Sequence, residues 1–192
     1  MNKKLIYALV AIAFVFFVTS LIIFLKSRSP GETKTEPAQK IVTEAETEPP
    51  PLVKVKIFYY TEKSRYMRPV NHEMENSQVR VELYRRFIDL ILQEKDDFIT
   101  PVPQGLRLRS LYYIESKKLL VLDFNDTLIT RFPSGSTSEL EFIYFIVDNI
   151  CFNFEEVKMV KFLVSGNEYN TISGHIDIEN PFYPDYRFLK IK

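Results

Sequence analysis

A long apolar stretch near the amino terminus constrains this chain more than any other feature of its sequence. From Leu5 to Leu25 every residue is apolar or small, apart from one tyrosine, one threonine and one serine. An α-helix rises about 1.5 Å per residue, so about 20 residues match the roughly 30 Å hydrocarbon core of a bilayer. The sequence therefore predicts one transmembrane helix within residues 1–28.

The length and flanks of this stretch favour an uncleaved anchor over a cleaved signal peptide. Signal peptides have apolar regions of about 7–15 residues and a small-x-small cleavage site. This stretch is longer, Phe24-Leu25-Lys26-Ser27 offers no such site, and no cysteine lies near it to carry a lipid. The N-terminal tail is very short and the part that follows is large, so we expect that part to lie outside the cytoplasm.

Residues 29–51 predict a linker between this anchor and a folded domain at 52–192. The segment is rich in Pro, Glu and Thr and almost free of large apolar residues. Prolines forbid a continuous helix, and the glutamates repel one another. We expect an extended, flexible tether that is stiffest at Pro49-Pro50-Pro51.

Composition excludes two classes of function. The chain has 25 basic and 25 acidic residues, and the domain shows no basic excess of the kind that nucleic-acid binding needs. Cys151 is the only cysteine, so neither an intrachain disulfide nor a cysteine-rich zinc site can form. We expect no nucleic-acid partner and no cofactor.

Hydrophobic periodicity in the domain predicts an α+β fold with the order β-α-β-β-α-β-β. Helices are expected from Asn76 or Ser77 to about Glu94 and from Ser136 to about Phe154. Strands are expected at 53–60, 106–114, 119–124, 157–164 and 169–172, the second and third forming a hairpin. Ser136 and Glu139 have capping-box spacing. We expect both helices to cover one face of a small mixed sheet.

The second predicted helix is apolar nearly all round. One stripe of its residues can be buried against the sheet, while Phe142, Phe145 and Ile146 lie largely off that stripe. Two interpretations stay open. Either loops and the first helix cover these three side chains, or they form a contact surface for another protein.

No set of residues has catalytic or metal-binding spacing. His72-Glu-Met-Glu-Asn76 matches a zinc-protease helix for two residues only, because an asparagine stands where the second histidine is needed. Ser136 or Ser138 could be paired with His175 as nucleophile and base, yet the serine turn lacks the G-x-S-x-G form. We predict that the protein is not an enzyme.

Tyrosines allow an alternative function, stacking on the glycan of the cell wall. Candidates on strands and in the tail are Tyr59, Tyr60, Tyr112, Tyr113, Tyr183 and Tyr186. Because aromatic residues also fit well within sheets, at least half of them are expected to serve core or tail packing.

A series of short motifs runs in order from about Pro101 to Phe182. They are Pro103-Gln-Gly105, Leu120-Val-Leu-Asp-Phe124, Gly135-Ser-Thr-Ser-Glu139, Val157-x-x-Val160-x-Phe-Leu-Val164, Ser165-Gly166, Gly174-His-Ile-Asp177 and Pro181. In this order and spacing they resemble the GerMN domain, named from a sporulation and spore-germination protein of endospore-forming bacteria. Asn149-Ile-Cys151 departs from the usual Thr-Leu-type segment, and a single copy behind an anchor differs from the two-copy lipoprotein form.

The resemblance implies an extracytoplasmic domain of the bacterial cytoplasmic membrane, similar to ring-building motifs of secretion and sporulation complexes. Such domains associate with themselves or with other cell-envelope proteins, and no enzymatic activity is implied. The motif residues expected to have structural roles are Gly135, Ser136, Glu139, Gly166, Gly174, His175 and Asp177. The leading hypothesis is a membrane-anchored scaffolding domain, and the alternative is a peptidoglycan-binding module.

Overall fold

The computed structural model describes residues 50–61, 64–94 and 98–191 of the chain. These residues all belong to the unit Thr47–Lys192. The predicted transmembrane helix and the linker up to residue 49 lie outside the described residues. Within the part that the structure describes, no helix is both long enough and apolar enough to cross a bilayer.

The domain is α+β and combines two small sheets with two main helices. The strands are β1 (Leu52–Thr61), β2 (Ser64–Glu75), β3 (Leu108–Ile114), β4 (Leu119–Phe124) and β5 (Met159–Val164). The main helices are α1 (Arg80–Ile91) and α3 (Ser136–Asn153), and α2 (Thr127–Thr130) is a single turn. Short 3₁₀ turns lie at Glu115–Lys117 and Tyr186–Phe188.

Strand β2 is the main element that the periodicity did not predict. It pairs with β1 along an antiparallel hairpin. Pro69 interrupts its pattern, and prolines within sheets are confined to edge strands, bulges and first positions. Since β2 has a sheet neighbour only on the β1 side, Pro69 is tolerated there. The first helix consequently begins at Arg80, whereas Asn76 and Ser77 bond within the preceding turn.

The second sheet has the order β3-β4-β5 and is mixed, as expected. Strands β3 and β4 form the predicted antiparallel hairpin, and β5 runs parallel to β4. The prediction of a single sheet under both helices is wrong, because β1 pairs with β2 in a sheet of its own. Helix α1 packs on β3, whereas α3 packs on β5 and on β1.

The predicted strand at 169–172 does not form. Ser165 and Gly166 have positive φ angles and reverse the chain directly after β5, where Val164 and Asn167 exchange backbone hydrogen bonds. The chain then runs as a loop, residues 165–182, held by an isolated bridge between Thr171 and Asp177. Phe182 returns to the free edge of β5 and exchanges two backbone hydrogen bonds with Val160.

Beyond its first turn, helix α3 is buried or half-buried on all sides because it lies between the two sheets. Phe145 contacts Tyr59 of β1, and Phe142 contacts Phe124 of β4 and Phe162 of β5. Phe142, Phe145 and Ile146 are 0% exposed. The interpretation of these three side chains as a contact surface is therefore wrong, and their own domain covers them.

Candidate functional site

The Glu139 carboxylate gathers several of the motif residues around it. It is fully buried in the first turn of α3. Oε1 accepts hydrogen bonds from Ser173 Oγ at 2.6 Å and from the His175 backbone N–H at 3.1 Å, and lies 2.9 Å from His175 Nδ1. Oε2 accepts from the Ile176 N–H at 2.9 Å. One side chain thus fixes loop 165–182 to the start of α3.

Hydrogen bonding keeps this carboxylate ionised despite its burial. Burial alone would raise the pKa of Glu139, but the bonds from Ser173, Ile176 and His175 outweigh it and hold the pKa below its ordinary value. The carboxylate faces the loop instead of the backbone of Ser136, and Gly135 occupies the N-cap position. The capping-box expectation is wrong.

The remaining motif residues shape the same loop. The Gly166 N–H donates to Asp123 Oδ1 at 2.7 Å, and the Gly174 N–H donates to Thr171 Oγ1 at 3.0 Å. Asp177 Oδ1 accepts from the Glu179 N–H at 2.7 Å. These contacts position the backbone of the loop and of the turn after β5.

The serine and histidine candidates do not form a catalytic pair. His175 Nδ1 is engaged by Glu139, and no hydrogen bond joins His175 to Ser136 or Ser138 within the described ranges. Ser138 instead borders a small cleft lined by prolines. Among the residues that the structure describes, no three His, Cys, Asp or Glu side chains group as metal ligands.

The six candidate tyrosines divide into buried and exposed sets. Tyr59 and Tyr60 are 0% and 5% exposed, so they are core residues and not glycan contacts. The Tyr113 hydroxyl donates to the Glu156 carbonyl at 2.9 Å, and its ring packs on Tyr84. The exposed tyrosines, at 58%, 64% and 40%, are Tyr112, Tyr183 and Tyr186.

Tyr112 belongs to a surface that the sequence patterns did not reveal. Cross-strand pairing places three rows of side chains on the side of the β3-β4-β5 sheet that faces away from the helices. We call this surface the outer sheet face; its residues are Ser110, Tyr112, Ile114, Leu119, Val121, Asp123, Met159, Lys161 and Leu163. Six of the nine are apolar.

The polar members of the outer sheet face bond within the domain. Asp123 is 5% exposed and accepts from Arg109 and Ser110, each at 3.2 Å, and from Gly166. Lys161 is 8% exposed, pairs with Glu168 at 3.1 Å and donates to the Glu179 carbonyl. Their charges are therefore already partnered.

An apolar strip remains accessible on the outer sheet face. Tyr112 and Ile114 are exposed, and Val121, Met159 and Leu163 are half-buried. A strand with one face in water normally alternates apolar and polar residues. The signal in the sequence was the failure of β3, β4 and β5 to alternate.

Two asparagines of α3 close the free edge of β1. Asn149 accepts from the Phe58 N–H at 2.7 Å and donates to the Phe58 carbonyl at 3.0 Å. Asn153 makes the same pair of bonds with Lys56, at 2.9 and 2.8 Å. Spaced four residues apart, the two amides replace a neighbouring strand. Two asparagines spaced four residues apart in a largely apolar part of the helix were the available signal.

Asp148 is a buried carboxyl on the same helix. Its Oδ1 accepts from the Asp185 N–H at 2.7 Å, and its Oδ2 has no hydrogen-bond partner among the described residues. Burial is the main cause that raises the pKa of Asp148 to about 7. Burial also raises the pKa of the Cys151 thiol to about 12, which makes this cysteine unreactive in the folded domain.

Comparison with known proteins gives one family and several structures. The family model for Germane, described as sporulation and spore germination, matches residues 56–170, more than half of the chain. No curated protein sequence matches the chain significantly.

The similar solved structures include the following three, all at low sequence identity. Tandem GerMN domains of the sporulation protein GerM from Bacillus subtilis match with a TM-score of 0.52 and 11% identity, over 69% of this chain and 46% of that one. The first GerMN domain of that protein matches with a TM-score of 0.47 and 10% identity, over 68% of this chain and 97% of that one. A putative lipoprotein from Clostridium perfringens matches with a TM-score of 0.47 and 14% identity, over 69% of this chain and 87% of that one.

Proposed function

Because the chain belongs to the Germane family of sporulation and spore-germination domains, we propose that it is a non-enzymatic interaction domain of the bacterial cell envelope. Its apolar N-terminal stretch anchors it in the cytoplasmic membrane, and the domain acts outside the cytoplasm. There it assembles with itself or with other envelope proteins. The observation that carries the proposal is the apolar strip of the outer sheet face.

The composition of the outer sheet face suits contact with a protein. Aromatic residues and methionine are enriched at protein interfaces, tyrosine is frequent among the residues that carry most of the binding energy, and charged residues are depleted in the buried part of an interface. Tyr112 is the most exposed side chain of this strip and lies on the edge strand β3, opposite Val121 on the central strand β4. Asp123 and Lys161 keep their partners when an apolar surface covers them, so binding leaves no buried charge unpaired.

A substitution at Tyr112 tests this function in the full-length protein. We expect Tyr112→Lys to abolish the crosslinked products that wild-type protein forms in intact membranes, since it places a charge within the apolar contact surface. Tyr183→Lys is the matched control, because Tyr183 is similarly exposed and lies outside the outer sheet face. If both variants crosslink like wild type while retaining their circular dichroism, the outer sheet face is not the contact surface.

The exposed tyrosines favour peptidoglycan binding as a second candidate function. Tyr112, Tyr183 and Tyr186 present accessible rings that could stack on sugars. We predict that the full-length protein, solubilised in detergent, co-sediments with purified peptidoglycan. Alanine at these three positions should leave the protein in the supernatant. If the protein stays in the supernatant at every peptidoglycan concentration, peptidoglycan binding is refuted. The proposed protein contact at the outer sheet face would still stand.

A further inference from the structure

The outer edge of β2 offers backbone hydrogen-bonding groups that the rest of the described domain leaves unused. The N–H and C=O groups of Lys56 and Phe58 point toward α3, where Asn153 and Asn149 bind them. Asn71 lies directly opposite Lys56 in the antiparallel ladder. In such a pair both residues point their backbone groups away from each other, so those of Asn71 point outward from the hairpin.

The same alternation places the backbone groups of Glu73 on this outer edge. The carboxyl-terminal tail covers only the beginning of the edge, where the Lys190 N–H donates to the Met67 carbonyl at 2.8 Å. Beyond Pro69, no residue in the described ranges bonds to the outward groups of Asn71 or Glu73. On the other hairpin edge, the two asparagines bind Lys56 and Phe58, and the Ile99 N–H donates to the Tyr60 carbonyl. The segment Asn71–Glu73 is therefore an open part of the β2 edge.

A groove lies beside this open edge. It has a volume of about 430 Å³ and separates the end of β2 from α1. Met74 and Leu90 give it apolar surface. Its walls include the acidic side chains of Glu73, Glu75 and Asp89.

The charges lining the groove are unbalanced. Arg86 is the only basic side chain among its lining residues, and it is already paired with Glu75 at 3.0 Å and with Glu82 at 3.3 Å. Glu73 and Asp89 have no ion pair within the described ranges. The groove is thus suited to a positively charged occupant.

We propose that the β2 edge from Asn71 to Glu73 and the adjoining groove bind an extended peptide rich in lysine or arginine. The peptide adds as a strand, exchanging backbone hydrogen bonds with Asn71 and Glu73. Alternate side chains of an added strand point to the same side, so its basic residues reach the groove carboxylates together. This surface is separate from the outer sheet face, so the inference goes beyond the proposed function.

The test uses fluorescent peptides and the full-length protein in detergent. The basic probe is a seven-residue peptide that alternates valine with lysine or arginine, and the acidic probe carries glutamate at the charged positions. Fluorescence anisotropy is expected to show at least tenfold tighter binding of the basic probe. Glu73→Lys is expected to remove that preference.

A backbone substitution separates strand addition from simple charge attraction. Asn71→Pro deletes an outward N–H without breaking a bond to β1, and Pro69 already occupies an equivalent position in the strand. We expect Asn71→Pro to weaken binding of the basic probe at least tenfold, and Asn71→Thr, which keeps the N–H, to leave it unchanged. Circular dichroism confirms that both variants fold.

Three results would overturn this proposal. Folded Asn71→Pro protein could bind the basic probe as tightly as wild type, which excludes strand addition at this edge. The acidic and basic probes could bind equally, which excludes recognition by the groove carboxylates. The basic probe could fail to bind at millimolar concentration, which excludes the site.

Discussion

The asparagines of α3 allow a quantitative test of how the two sheets are joined. Asn149 is 0% exposed and satisfies the N–H and C=O of Phe58, which is also 0% exposed. Leucine at position 149 has similar volume but leaves both groups of Phe58 without partners. A buried backbone group that loses its partner costs about 1–3 kcal/mol, so Asn149→Leu should destabilise the domain by about 2–6 kcal/mol.

Asn153 provides the matched control, because its bonds are the same and only its burial differs. It binds the N–H and C=O of Lys56 at the rim of the domain, where water can replace the amide. Asn153→Leu should therefore cost less than about 1.5 kcal/mol, the net value of ordinary hydrogen bonds. The difference between the two variants in free energy of unfolding therefore measures the effect of burial separately from that of hydrogen-bond geometry.

Equilibrium unfolding in urea, followed by circular dichroism, measures both variants in a fragment of residues 47–192. Domains are stable by about 5–15 kcal/mol, so the expected loss for Asn149→Leu shifts the midpoint well beyond experimental error. Equal losses for the two variants, or a loss under about 1 kcal/mol for Asn149→Leu, would show that Asn149 does not compensate buried backbone groups.

Three further predictions concern individual side chains. The pKa of Asp148 is raised from 3.8 to about 7 on folding, so its contribution to stability should fall as pH rises from about 4 to 7. Asp148→Asn should remove that slope in urea unfolding measured across this range. The pKa of Glu139 is lowered on folding, so its contribution is full above about 4.5 and is lost as pH falls through the folded-state pKa. Glu139→Gln should speed hydrogen exchange in loop 165–182 at pH 7, whereas unchanged exchange would show that Glu139 does not fix this loop to α3. Cys151, being buried with a raised pKa, should react with a maleimide at pH 8 only after denaturation.

Local sequence patterns were sufficient to predict elements whose defining contacts lie close together in the sequence. The β3–β4 hairpin and α3 follow from periodicity and turn chemistry, and the structure confirms both. The assignment of β1 to the same sheet failed, because sheet membership depends on long-range pairing. Strand β2 was missed, because its exposed edge tolerates Pro69 and polar residues that hide a strand pattern.

The contact surface was misplaced for a related reason. The interpretation of Phe142, Phe145 and Ile146 as a contact surface assumed that α3 has one buried face, but two sheets enclose the helix. The accessible apolar strip lies instead on the outer sheet face, where Tyr112 and Val121 meet across two strands. Only the three-dimensional register brings these residues together.

Site-specific photo-crosslinking at Tyr112 tests the central claim most directly. A photoreactive phenylalanine derivative replaces Tyr112 in one strain and the similarly exposed Tyr183 in another, and intact membranes are irradiated. We predict protein adducts from position 112, with mass spectrometry identifying either a second copy of the chain or an envelope partner, and few from position 183. Adducts absent from position 112, or equally abundant at both positions, would contradict the outer sheet face as the contact surface.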